Sequence, residues 1–119
     1  MKLKVGQFAR LKSGYICKII NINDFREPNM KYGVEANYLK DVMFIGNDDV
    51  VKASYSIIDI LEIGDYVNGY PICEIVEYEI DTRAIVINDD NKSIIWKNQD
   101  IKSVITHEQM EQMAYKVGE

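Results

Sequence analysis

The sequence predicts a mainly β protein: two tandem SH3-like small barrel repeats followed by a short C-terminal helix. Three observations carry this expectation. Ile, Val, Tyr and Thr together outweigh Ala and Leu, which favours strands over helices. Short apolar runs are separated by clusters of Asn, Asp and Gly, as in β proteins with tight turns. Above all, the chain repeats itself. Val5-Gly6-Gln7-Phe8-Ala9 reads like Ile63-Gly64-Asp65-Tyr66-Val67, and Gly14-Tyr15-Ile16-Cys17 reads like Gly69-Tyr70-Pro71-Ile72-Cys73. Val51 to Ile57 likewise reads like Ile95 to Ile101.

The elements follow in order. Gln7 to Lys12 is a strand, Ser13-Gly14 a turn, and Tyr15 to Ile22 a longer strand with apolar residues on both faces. Lys18 and Glu74 interrupt this pattern at matching places and are expected to be exposed. Residues 23–41 are the least regular stretch, with a strand expected over Tyr32–Ala36 and a short helical turn over Ala36–Lys40. Setting Cys17 against Cys73 and Val51 against Ile95 makes the first copy longer by 12 residues (34 steps against 22), so 23–41 reads as its insertion. Val42–Ile45 and Val50–Ala53 flank Gly46-Asn47-Asp48-Asp49 as a β-hairpin. Ala84–Ile87 and Ser93–Trp96 flank Asn88-Asp89-Asp90-Asn91 as its copy. A polar step follows each hairpin, and then an apolar closing strand: Ile57 to Leu61 in one copy, Ile101 to Ile105 in the other. Thr106-His107-Glu108-Gln109 is a capping box. It opens a helix over 107 to about 116, whose Met110, Met113, Ala114 and Val117 are expected to plug the second barrel. The resulting domains are 1–61, the first repeat with insertion 23–41; 62–106, the second repeat; and 107–119, helix and tail.

Composition narrows the function classes. At 119 residues each repeat is near the lower size limit for a core that folds alone. A net charge of −5 disfavours duplex nucleic acid as a partner. No apolar run reaches the roughly 18 residues of a membrane span, and Met1-Lys2-Leu3-Lys4-Val5 lacks the apolar core of a signal peptide. The cytoplasm is therefore the expected compartment. Cys17 and Cys73 lie in apolar strand patterns and read as small buried hydrophobes.

Catalytic chemistry is not indicated. His107 is the sole histidine and reads as neither ligand nor base; there is no phosphate loop or EF-hand spacing, and the Asp48-Asp49 and Asp89-Asp90 pairs read as turn formers. The expectation is a protein that is not an enzyme, with no metal and no cofactor. What remains is aromatic and basic material suited to a small anionic ligand such as a cyclic nucleotide. Arg10, Arg26, Lys31, Arg83 and Lys97 are the candidates for phosphate, and Tyr32 and Trp96 for stacking on a base.

Three stretches carry a resemblance: Asp24 to Pro28, Ile57 to Gly69, and Asp100 to Gln109. They resemble a family of small uncharacterised phage and prophage proteins of low-GC bacteria. The resemblance implies a phage accessory protein in the host cytoplasm. It favours one that counters host defence by sequestering a nucleotide signal; a homo-oligomer is a natural form for such a protein, since pockets form readily at interfaces. The alternatives are an acidic protein-interaction module that inhibits a host defence protein, supported by net acidity and segment 23–41, or a phage structural or assembly adaptor.

Overall fold

The computed structural model describes residues 2–37, 39–114 and 117–118. The chain divides into two compact units, Met1–Ile60 and Leu61–Glu119. Both are mainly β, and the strands form three antiparallel sheets.

Unit 1 holds β1 (Phe8–Leu11), β2 (Ile16–Ile22), β3 (Tyr32–Glu35), β4 (Met43–Ile45) and β5 (Val50–Ser54) in one sheet of order β4-β3-β2-β1-β5. The two-residue strand period turns one set of side chains inward. Ala9, Leu11, Cys17, Ile19, Tyr32, Val34, Ile45 and Val50 join Leu3 in a single core. Unit 2 holds β6 (Tyr66–Val67), β7 (Tyr70–Pro71), β8 (Glu74–Glu79), β9 (Thr82–Asp89), β10 (Lys92–Trp96) and β11 (Val104–Ile105). They form two sheets, β10-β9-β8 and β11-β6-β7, around buried Val67, Ile72, Ala84, Ile85 and Ile87. None of the three sheets closes into a barrel among the described residues.

The two units share local turns, in a register that differs from the sequence match. Both units open on the same turn: Lys4 N–H donates to Gln7 Oε1 (2.9 Å), and Glu62 N–H donates to Asp65 Oδ2 (2.7 Å). The glycine inside each turn has positive φ, +94° at Gly6 and +101° at Gly64, which a side chain would strain. Ile19 N–H then donates to the Gln7 carbonyl and Ile72 N–H to the Asp65 carbonyl, both at 2.9 Å. Ile19 and Ile72 are therefore equivalent, rather than Cys17 and Cys73. The correction has a visible consequence: Cys17 is buried and Cys73 is exposed. The β6–β7 connection is a tight Asn68-Gly69 turn, both residues at positive φ, whereas β1 and β2 are joined by a longer loop.

The first expected hairpin is absent. β4 and β5 lie at opposite edges of their sheet, because β5 pairs with β1 through Phe8↔Ser54 to Leu11↔Val50. Asn47–Asp49 instead makes a 3-10 turn capped by Gly46, whose N–H donates to Asp49 Oδ2 at 3.0 Å. Its twin is Asn98–Asp100, where Lys97 N–H donates to Asp100 Oδ2 at 2.9 Å. An Asn-x-Asp run suits this turn as well as a hairpin, since the carboxylate reaches back to an open N–H. The true match is thus Asn47-Asp48-Asp49 with Asn98-Gln99-Asp100. Between the equivalent isoleucines and these turns the first copy runs 28 steps (Ile19 to Asn47) against 26 (Ile72 to Asn98), and β3 occupies the place of β9.

The second hairpin forms, with Asp90 and Asn91 at its tip in positive φ between β9 and β10. Ile57–Ile60 is a 3-10 turn and not a closing strand, and it buries Ile58 and Ile60. The 32–36 strand forms as β3; the 36–40 segment is a turn closed by Leu39 N–H to the Ala36 carbonyl, while Tyr38 lies outside the described residues. The capping box forms, and the helix α1 spans His107–Met113. The expected end of that helix reaches Tyr115 and Lys116, which are also outside the described residues. Its apolar face is not a plug: Met113 and Val117 are 67% and 85% exposed. Seven helical residues are too few to turn a full stripe inward.

Candidate functional site

The loop between β2 and β3 is tied at its base and hydrogen-bonded along its length. Asn23 N–H donates to the Lys31 carbonyl at 2.9 Å, closing the loop. Inside it, Phe25 N–H donates to Asn23 Oδ1 (2.9 Å), Arg26 N–H to the Asn23 carbonyl, and Met30 N–H to the Glu27 carbonyl. The Asn23 side chain thus mimics a backbone turn, and Pro28 opens a 3-10 turn over Pro28–Met30 with its φ already set. Gly46 lies under this turn. A Cβ there would sit 2.5 Å from the Pro28 carbonyl oxygen and 2.7 Å from Asn29 Cα, so glycine permits the approach.

This frame displays three side chains. Phe25 is fully exposed. The Arg26 guanidinium carbon lies 3.9 Å from the centre of the Phe44 ring, a cation–π stack. Phe44 pairs with Gly33, on the sheet face opposite to the buried Tyr32 and Ile45, so the arginine covers the outer face. Lys31 Nζ makes a 3.0 Å ion pair with Asp24. Hydrogen bonding to Asp24, and then its charge, raise the Lys31 ammonium above the usual lysine value.

The sequence-predicted ligand residues are divided between the two units, Arg10, Arg26, Lys31 and Tyr32 in unit 1 and Arg83, Trp96 and Lys97 in unit 2. Arg26 and Lys31 share the loop. Tyr32 is nearby in sequence, but it is 3% exposed and belongs to the core, with Lys31 Nζ 5.6 Å from its ring centre. Arg10 is 1% exposed and donates from a guanidinium nitrogen to the Ile60 carbonyl at 3.1 Å, so it braces the 3-10 turn at the end of unit 1. In unit 2, Arg83 faces Glu77 across β8 and β9 with a 3.4 Å ion pair. Trp96 packs edge-on against Tyr70, ring centres 5.9 Å apart. Lys97 lies 4.3 Å above the ring of Tyr78. Trp96 pairs with the buried Ile85, so the following residue, Lys97, falls on the other face of the sheet.

Two features escaped the sequence reading. One is Phe25 as an exposed tip; its Asn23-initiated turn was the available signal. The other is a cluster at the start of α1. His107 Nε2 lies 2.9 Å from Glu62 Oε1 and also contacts Glu108 Oε1. The fully buried Asp65 receives N–H bonds from Glu62 and from His107 (2.9 Å), which locks the two segments together. Glu62 and His107 are 45 residues apart, so no local spacing announces the pair. Compared with family models, curated proteins and solved structures, the chain finds no match in any of the three.

Proposed function

We propose that this chain is a non-enzymatic, phage-encoded binding protein that engages a host protein through the 23–31 loop. Phe25 carries the reading. A large aromatic side chain held fully in water on a hydrogen-bonded loop contributes nothing to its own fold, and it is the residue type that anchors interfaces. Arg26 beside it, spread on Phe44, adds a preorganised donor fork of the kind enriched at such anchors. The resemblance to phage proteins supports counter-defence as the purpose. Each unit is read as a variant of the SH3-like scaffold. First-to-last strand pairing (β1 with β5, β6 with β11) and the 3-10 turn before each last strand support that reading.

A second reading, sequestration of a small anionic ligand such as a cyclic nucleotide, is favoured by the Arg26–Phe44 stack. A guanidinium held on a ring face is suited to offering its in-plane N–H groups to phosphate. Arg26 and Lys31 are its candidates on this loop.

Affinity capture from lysate of a low-GC bacterial host separates the two readings. The wild type and an exposed control, Val51→Ser, retain a partner that Phe25→Ser loses by about tenfold or more. Equal retention by all three contradicts the protein-binding reading. A nucleotide adduct in native mass spectrometry that disappears in Arg26→Ala moves the assignment to the second reading.

A further inference from the structure

We propose that Glu62, His107 and Glu108 form a binding site for a divalent transition-metal ion of the zinc class. One ligand atom from each residue lies within 4.8 Å of the other two, and all three residues are half-buried. The geometry around the imidazole is the argument. Nε2 carries at most one proton, directed along one line in the ring plane, yet two carboxylate oxygens contact it. One proton is directed at one of these two oxygens at a time. A divalent cation in place of that proton serves all three. A tetrahedral ion with bonds of about 2.0–2.2 Å sets its ligand atoms about 3.3 Å apart. To reach that spacing the 2.9 Å contact of Nε2 with Glu62 Oε1 opens by about 0.4 Å and its 2.5 Å contact with Glu108 Oε1 by about 0.8 Å.

The donor set, one imidazole and two carboxylates, fits zinc, with a fourth position for water or a partner's ligand. The surroundings fix the donors. Asp65 binds the backbone N–H groups of both Glu62 and His107. Fully buried Thr106 caps α1 with Gln109, which sets the directions of His107 and Glu108. In unit 1, Lys4 occupies the place of Glu62 in the matching turn, so the site belongs to unit 2 alone.

The test is a zinc titration of tag-free protein in a Cys73→Ser background, because Cys73 is the exposed thiol. At pH 7.5, competition with a chromophoric zinc indicator should show one equivalent bound per chain. Glu62→Gln and His107→Asn should each weaken binding about tenfold or more. Because His107 is the sole histidine, its ring 15N resonances report directly on the unaltered site, independent of whether the variants fold. Zinc should shift the Nε2 resonance. No uptake at up to millimolar zinc, uptake that both variants retain, or an unmoved imidazole overturns the proposal.

Discussion

Arg10 shows how a residue's type misleads when its burial is hidden. An arginine between apolar neighbours looks like a ligand-binding cation, but Ala9, Arg10 and Leu11 are all buried. Water is lost there, and the guanidinium must find protein acceptors, which the Ile60 carbonyl provides. The cysteines show the converse. Two residues that match by sequence end in opposite environments, and chemistry will tell them apart. Burial raises the Cys17 thiol to about 11, leaving roughly one part in a thousand as thiolate at pH 8. Iodoacetamide at pH 8 should therefore modify one thiol per native chain, Cys73, and reach Cys17 only on unfolding. Mass spectrometry of the digested protein checks the assignment; equal labelling of both would contradict the burial of β2.

At the scale of elements, strands were more legible than their pairing. Short apolar runs bounded by turn residues marked β1, β2, β3, β9 and β10 within a residue or two of their ends. Partner choice was not legible, since the Gly46–Asp49 sequence serves a hairpin and a 3-10 turn alike. The decision rests with a non-local pairing of β1 with β5, which buries Val50 against the core. The capping box of α1 was readable because its partners are three residues apart. The 23–31 loop depends on what lies beneath it. Gly46→Ala places a methyl into the backbone of Pro28 and Asn29, which cannot rotate away. This substitution should cost about 1–3 kcal/mol. The loss should appear as a lowered melting temperature, with amide shifts concentrated in residues 27–31. An unchanged melting temperature would mean that the loop is not seated on Gly46.

The whole molecule comprises two mainly β units that share local turns and differ in their sheets. Both units keep the glycine turn and the 3-10 turn held by an aspartate. They also differ where function is proposed: unit 1 carries the hydrogen-bonded Phe25 loop, and unit 2 carries the His107 cluster. The shared turns were visible in the sequence because the turn residues recur. The sites were not, because Phe25 is notable for contacts it does not make, and His107 for a partner 45 residues away. Hydrogen exchange of the chain, alone and bound to the host partner it captures, tests the recognition surface most directly. Binding should slow exchange across residues 23–31 and leave the remaining loops unchanged. Protection elsewhere, with 23–31 exchanging as in the free protein, would contradict the assignment of this loop as the site of recognition.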